Sequence, residues 1–324
     1  MIAGDPAPVP TPIPLLKFFA RKIVQGLLMV IVVSAIAFAL LSAVGGDAFS
    51  SLRDNPQVSA ETVERLRATY GLDRPLTARY LNWLSGIARG DMGESFAYKT
   101  PAAGLIFARL WNTLLLGLLG LIFALTVASL LAFFSVRFPA SPLRKFNDAV
   151  ILLSASTPRI VLSLFTLLLT VWLAGRGIRL APGSWGLMAL AAVVLSVPLV
   201  AVFLAQMQNG LTEAMSEPFV QFARAKGLPE STVLIRHAGR AALNPLLSIL
   251  GLSLGSVVAG SVIVETVLGW QGIGALMVSA VRGRDIPLVM GIVVVASAAV
   301  WFGNALAEFL QLINDKRLRE TELR

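Results

Sequence analysis

Six stretches of the sequence are apolar over about twenty residues or more, and they constrain the fold more than any other feature. They lie at about residues 23–44, 111–134, 149–174, 186–206, 244–268 and 287–311. A helix rises 1.5 Å per residue, so about twenty residues cross a hydrocarbon core of about 30 Å. Backbone groups left unpaired in lipid cost several kcal/mol each, which makes each stretch a helix. The sequence therefore predicts an all-α membrane protein with six transmembrane helices.

The overall composition agrees with this prediction and excludes several classes of protein. Of the 324 residues, 56% are hydrophobic and only 14% are charged, and the mean hydropathy is +0.78. The net charge of +9 falls mainly in short loops beside the apolar stretches, which indicates membrane topology rather than nucleic-acid binding. With no cysteine and one histidine, the chain forms no disulfide and holds no metal on clustered thiols or imidazoles.

The distribution of Lys and Arg predicts which loops face the cytoplasm. If the N-terminus is inside, the segments 1–22, 135–148, 207–243 and 312–324 are cytoplasmic and carry 14 of these cations. The two short outer loops, 175–185 and 269–286, carry 4. Both termini are therefore predicted to be cytoplasmic.

The spans and loops divide the chain into four parts. Residues 1–22 are a proline-rich cytoplasmic tail, and 23–110 hold the first span and a long outer loop. Residues 111–311 are a five-helix core that contains the loop 207–243, and 312–324 are a second cytoplasmic tail.

Two short helices are predicted within the outer loop. Ser59 suits the N-cap of a helix over 59–70, and Gly71 suits its end. A second helix is expected over about 76–88, where Tyr80 and Trp83 suit a membrane interface or a docking surface. A packed cap over the bundle and a surface that docks a ligand are both compatible with this pattern.

The cytoplasmic loop 207–243 has the pattern of two short helices joined by a tight turn. A first helix near 212–226 carries apolar residues between 219 and 223; Gly227 suits a left-handed turn, and Pro229 suits the start of the next helix. Arg224 and Lys226 flank the turn. Such a unit could insert into a groove of a partner protein, or it could lie on anionic lipid as an amphipathic segment.

The residues of this loop and of its flanks resemble one family of membrane proteins. In the loop the resemblance lies in Ala223-Arg224-Ala225-Lys226-Gly227-Leu228, Arg236-His237-Ala238, Arg240 and Asn244-Pro245. Elsewhere it lies in Gly46-Asp47, Tyr70 to Leu76 with Tyr80-Leu81, Arg89 to Phe96, Val264 to Val267, Gly269 to Gly274 and Arg284 to Pro287. Over about residues 17–319 the chain is similar to the dipeptide/oligopeptide/nickel family of ABC importer permeases. It departs from the family pattern at Gln271 and Ile286, where proline and tyrosine are usual.

The resemblance implies the fold, the partners and a coupling site. It implies the type I ABC importer permease fold, with a cytoplasmic coupling helix that docks on an ATPase. The coupling residues carried over are Phe222, Ala223, Arg224, Ala225, Lys226, Gly227 and Leu228. The implied partners are a second homologous permease, two ATP-binding subunits, a periplasmic or lipid-anchored substrate-binding protein and the lipid of the inner membrane. ATP and Mg²⁺ would bind to the ATPase, with no cofactor, metal or catalytic residue on this chain.

Two charged residues inside the spans are further candidates. Ser156-Thr157-Pro158-Arg159 resembles a family motif that has an aromatic residue where this chain has Arg159. Arg159 could extend to the cytoplasmic edge of the membrane, or it could line the transport pathway with Ser156 and Pro158 and favour anionic substrates. Glu265, near the outer end of span five, is expected to pair with Arg282 or Arg284 or to accept a backbone N–H near Gly269.

Other functions fit the sequence less well. There is no Gly-x-x-x-x-Gly-Lys-Ser/Thr motif and no catalytic set of side chains, which disfavours a membrane-bound enzyme. An ion-coupled secondary transporter would need intramembrane acids and paired broken helices. By resemblance the substrate is a peptide; nickel or metal–chelator complexes and opine-like conjugates are the alternatives, and the short outer loop 175–185 favours the nickel-type members slightly.

Overall fold

A computed structural model describes residues 13–43 and 59–314, which are mostly helical. In chain order the helices are α1 (Ile13–Ala43), α2 (Ala60–Thr69), α3 (Leu76–Ile87), α4 (Ala102–Arg137), α5 (Leu143–Ser156), α6 (Arg159–Gly175), α7 (Trp185–Ser216), α8 (Pro218–Ala225), α9 (Glu230–Thr232), α10 (Gly239–Leu268), α11 (Ile273–Arg282) and α12 (Ile286–Asn314). A π-helical turn, Val233–Ala238, joins α9 to α10. Among the described residues the only β pairing is an isolated bridge between Glu94 and Pro101. The all-α prediction is confirmed.

Five of these helices, α1, α4, α7, α10 and α12, are long and apolar enough to cross a membrane. The sixth predicted span is a bent pair, because α5 and α6 meet at an angle of 93°. The prediction of one continuous helix over 149–174 is wrong at Thr157-Pro158. Proline disfavours the helical conformation of the residue before it, and Thr157 accordingly has an extended backbone with φ −91° and ψ 115°.

Helix α7 lies at the centre of the bundle and is buried along most of its length. It packs against α4, α10, α5 and α6, and residues of α4, α7 and α10 form most of the main apolar core. Small residues allow these helices to approach closely, since a Cβ on Gly120 of α4 would lie 3.3 Å from the carbonyl oxygen of Ala192 on α7. Motion of α7 would therefore reach most of the bundle.

Helix α1 lies against α12 at the edge of the bundle. Trp301 donates its indole N–H to the carbonyl oxygen of Lys22 at 2.9 Å, and its ring fills the space beside Gly26. The Lys22 ammonium also forms an ion pair with Glu308. Helix α1 begins at Ile13, ten residues before the predicted span, so part of the predicted N-terminal tail is helical.

Both predicted helices of the outer loop are confirmed as α2 and α3. The hydroxyl of Ser59 accepts the N–H of Thr62 at 3.2 Å at the start of α2, and Gly71 has a left-handed φ of +64° after its end. The hydroxyl of Tyr80 on α3 lies 3.0 Å from Oγ of Ser34 on α1, so α3 is held against the first span. Gly46-Asp47 and most of the two terminal tails lie outside the described residues.

Candidate functional site

The loop 207–243, predicted to be cytoplasmic, forms a compact helical hairpin between the spans α7 and α10. One residue, Glu217, separates the end of α7 from α8, and Pro218 occupies the first turn of α8, where its missing N–H costs nothing. The helix ends at a turn in which Gly227 takes a left-handed φ of +73° and its N–H bonds the carbonyl oxygen of Arg224 at 2.8 Å. The predicted tight turn at Gly227 is therefore present, although the first helix starts at 218 rather than near 212.

A small apolar core of its own makes this hairpin stiff. Val220 and Ala223 of α8 pack against Val233 of the return arm, all three buried, with Met215 of α7 beside them. Ala223, which the resemblance places in the coupling site, is therefore a packing residue rather than a contact available to a partner.

A charged brace spans the turn on the outside of the hairpin. The guanidinium of Arg224 donates from Nε to Oε1 of Glu230 at 2.8 Å and from Nη2 to Oε2 at 3.3 Å. Two parallel bonds between a guanidinium and a carboxylate fix the relative orientation of the two arms. Arg224 therefore stabilises the shape of the loop in this chain, a role that the sequence pattern did not indicate.

The outward face of the hairpin exposes large apolar side chains. Phe222 is 71% exposed and Phe219 is 42% exposed, and Leu228 and Ile235 are also exposed. Ala225, Lys226 and Gly227 lie on the same accessible turn. Exposed phenylalanines on a rigid helix beside cations form an apolar patch of the kind that marks a contact with a protein partner or with a membrane. Phe219 was not among the predicted site residues. Its position three residues before Phe222 puts both side chains on one helix face, and this spacing could have identified it.

The π-helical turn Val233–Ala238 connects this hairpin to α10 without an intervening loop. Val233, Leu234 and Ala238 are buried, and Leu234 joins the main membrane core. His237 lies in this turn and is partly buried. The hairpin is thus joined rigidly to two spans, α7 at one end and α10 at the other.

At the start of α12, two of the sequence motifs meet through one buried carboxylate. Asp285 accepts the hydroxyl of Ser95 at 2.5 Å and the N–H of Ala97 at 3.1 Å. Its other oxygen accepts the N–H of Leu288 at 3.3 Å, which caps the start of α12. The Arg89–Phe96 segment is therefore bonded to the start of α12 through Asp285, which lies 190 residues after Ser95 in the chain.

A cavity of about 320 Å³ lies beside this contact, between the outer helices and the bundle. Its lining includes Tyr70, Trp83, Phe96 and Pro287, so three of the sequence motifs face one space. The indole N–H of Trp83 is buried there without a hydrogen-bond partner.

Glu265 is fully buried in a second polar node near the outer end of α10. Its carboxylate accepts the hydroxyl of Thr113 on α4 at 2.7 Å and the N–H of Ala275 on α11 at 3.0 Å. The carboxylate faces the positive N-terminal end of α11. The expected contact with a backbone N–H is therefore present, at Ala275 rather than near Gly269, and the alternative pairing with Arg282 or Arg284 is wrong. Gly272 and Gly274 leave room for it, since a Cβ at either position would collide with the carboxylate.

The structure places Arg159 at the first position of α6, immediately after the bend at Pro158. Its guanidinium lies across α10, where Nη2 donates to Oγ of Ser256 at 2.7 Å. Ser156 and Pro158 are exposed on the surface of this chain, whereas Arg159 is half-buried. Of the three candidate pathway residues, only Arg159 is held by a neighbouring helix.

Comparison with known proteins agrees with this architecture. Residues 118–320 match the family described as binding-protein-dependent transport system inner membrane component, and residues 15–128 match its N-terminal family. The chain is 30% identical to the oligopeptide transport system permease protein AppB of Bacillus subtilis, over 93% of this chain and 98% of the relative. It is 26% identical to the dipeptide transport system permease protein DppB of Escherichia coli K12, covering 94% and 99%. The glutathione transport system permease protein GsiC of Shigella flexneri is 26% identical, covering 91% and 96%.

The two family matches follow each other in order and together cover almost every described residue. They include the broken third span, the hairpin between α7 and α10, and the polar nodes at Asp285 and Glu265 of a multi-pass membrane protein. This chain belongs to the family of binding-protein-dependent transport system inner membrane components.

Proposed function

We propose that this chain is one membrane subunit of an ATP-driven importer of peptides. The observation that carries the proposal is the rigid cytoplasmic hairpin with its exposed phenylalanines, joined directly to α7 and α10. The peptide substrate is inferred from relatives named for oligopeptide, dipeptide and glutathione transport. Nickel complexes, the alternative favoured slightly by the short outer loop, are named by none of these three relatives.

The hairpin is the contact through which an ATPase moves the spans. Phe219, Phe222 and Leu228 insert into a groove of the ATPase, and Lys226 at the turn adds charge at the rim. The ion pair between Arg224 and Glu230 keeps the two arms of the hairpin in a fixed orientation when the ATPase moves. Displacement of α8 therefore passes to α7 and α10, and through α7 to the rest of the core.

The complete transporter contains two permeases, two ATP-binding subunits and a substrate-binding protein outside. ATP and Mg²⁺ bind to the ATPase subunits, and this chain binds no cofactor. The excess of Lys and Arg in alternate loops supports a cytoplasmic position for both termini and for the hairpin. The outer node at Asp285 then faces the binding protein, and each nucleotide state favours one orientation of the pathway.

Substitution of Phe222 by aspartate tests the docking contact. Burying an aromatic side chain removes about 150–250 Å² from water at about 25 cal/mol per Å². With 71% of Phe222 available, its loss should weaken ATPase binding by about 3 kcal/mol, roughly a hundredfold. The measurement is the amount of ATPase subunit that copurifies with the permease pair at graded dilution.

The matched control is Phe138→Asp, at a phenylalanine 51% exposed after the end of α4. This residue is also predicted to lie on the cytoplasmic side, but it is remote from the hairpin in the sequence. ATPase retention should be lost with Phe222→Asp and kept with Phe138→Asp. Equal retention by both variants would overturn the proposed docking contact.

A further inference from the structure

The guanidinium of Arg159 lies against the middle of the apolar part of α10. Ser256 and Gly260, which it contacts, lie in the middle turns of the apolar part of α10, Pro245–Leu268. Arginine keeps its positive charge in proteins, and a charge inside a membrane-spanning segment is among the most unfavourable placements for a side chain. Such residues mark substrate or ion pathways.

The packing around Arg159 is shaped to hold the guanidinium in one position. A Cβ on Gly260 would lie 2.9 Å from both Cζ and Nε of Arg159, so the guanidinium occupies the space that the missing side chain leaves. The hydroxyl of Ser256 fixes one end through Nη2 at 2.7 Å. The bend before Pro158 brings the side chain to this face of α10.

Arg159 has donors left over but no counter-charge among the residues that the structure describes. A guanidinium has five N–H groups, of which Ser256 takes one, and Nε is buried without a partner. No described carboxylate forms an ion pair with Arg159, and Glu265, the acidic residue of α10, is bonded to Thr113 and Ala275. The Arg159 side chain is only half-buried, so a ligand can reach it.

We propose that Arg159, positioned by Ser256 and Gly260, binds the carboxylate of the transported peptide as it crosses the membrane. The planar guanidinium can pair with a carboxylate through two parallel hydrogen bonds, which a neutral amide does not match. Every unblocked peptide has a C-terminal carboxylate, so the site favours free-acid peptides of many sequences. This inference rests on the proposed peptide importer and adds a specificity residue within its pathway.

Uptake of trialanine and of trialanine amide by the complete transporter in proteoliposomes tests the site. Each peptide is supplied at a concentration that saturates the binding protein, so that capture outside does not limit the rate. Arg159→Gln should lower uptake of the free acid at least tenfold and change uptake of the amide less than twofold. Uptake of the free acid by Arg159→Lys should lie between that of wild type and that of Arg159→Gln, since lysine keeps the charge but lacks the planar guanidinium.

Two glycines on α10 provide a matched pair of variants. Gly260→Ala displaces the guanidinium and should reduce preference for the free acid as Arg159→Gln does. Gly255→Ala places its Cβ no closer than 4.0 Å to Val300 and should leave the preference unchanged. A proportional fall in both peptides with Arg159→Gln, or unchanged uptake of both, would overturn the proposal.

A second readout separates this site from the proposed function. In the purified complex, phenylglyoxal modification of Arg159, followed by mass spectrometry, should be slowed at least threefold by trialanine and not by its amide. Absence of ATP-dependent uptake in wild type would reject the importer, while protection of Arg159 would still support the carboxylate site. If neither peptide protects Arg159, or if Arg159→Gln releases the second permease, the residue pairs with a partner subunit and the proposal fails.

Discussion

Replacing Asp285 by alanine should release the Arg89–Phe96 segment from the outer end of the core. Asp285 is fully buried, and its carboxylate accepts hydrogen bonds from Ser95, Ala97 and Leu288. A hydrogen bond to a charged group contributes about 1.5–3 kcal/mol, and an N-cap contributes about 1 kcal/mol. Ser95 and Ala97 supply the two bonds that hold the segment, whereas the cap at Leu288 stabilises α12. Because such contributions are not strictly additive, we expect the segment to lose about 3–5 kcal/mol of local stability.

Hydrogen exchange of the backbone amides measures this loss directly. The N–H groups of Ser95, Ala97 and Lys99 are hydrogen-bonded in the closed segment. A loss of 3 kcal/mol corresponds to exchange that is roughly a hundredfold faster, since each 1.4 kcal/mol is a factor of ten. The control is Asp91→Ala, which removes one exposed bond to the N–H of Gly93 at 2.8 Å and should leave these amides protected. Unchanged exchange in Asp285→Ala would refute the idea that this carboxylate fastens the two motifs.

Further variants test three features: the turn at Gly227, the Arg224–Glu230 ion pair and the polar node at Glu265. Gly227→Ala strains a left-handed backbone and should weaken ATPase binding about fivefold. Gly227→Asn should weaken it less, because asparagine tolerates this backbone conformation. Equal binding by the two variants would contradict the turn geometry. Arg224→Glu should weaken ATPase binding and the double variant with Glu230→Arg should restore it, whereas failure of the double variant would assign Arg224 to a direct ATPase contact. Glu265→Ala removes the acceptor of the Thr113 hydroxyl and of the Ala275 N–H. It should lower the thermal midpoint of unfolding by roughly 5–10 °C, with a smaller loss for Glu265→Gln, and an unchanged midpoint in both variants would show that the node does not stabilise the fold.

The sequence predicted features that depend on neighbours in the chain. Apolar length located the spans, and the cap at Ser59 and the glycine at 71 located α2, because helix ends depend on local hydrogen bonds. The turn at Gly227 was predicted for the same reason. The bend at Thr157-Pro158 also has a local cause, the proline, but it was missed because the sequence is apolar on both sides of it.

The features that escaped prediction depend on contacts between distant parts of the chain. The carboxylate of Glu265 meets Thr113, 152 residues away, and nothing in the local pattern names that partner. Gly272 and Gly274 were the available signal, since two glycines beside an acid suggest a space that the acid fills. The brace between Arg224 and Glu230 was missed because both residues are typical of solvent-exposed loops.

Site-specific photo-crosslinking at Phe222 tests the central claim most directly. A benzophenone side chain at position 222, in the assembled complex within its membrane, should form an adduct with the ATPase subunit. The same group at position 138 should give no such adduct. Adducts from position 222 with lipid alone, at the yield seen from position 138, would show that the hairpin lies on the membrane surface and would contradict its role in coupling.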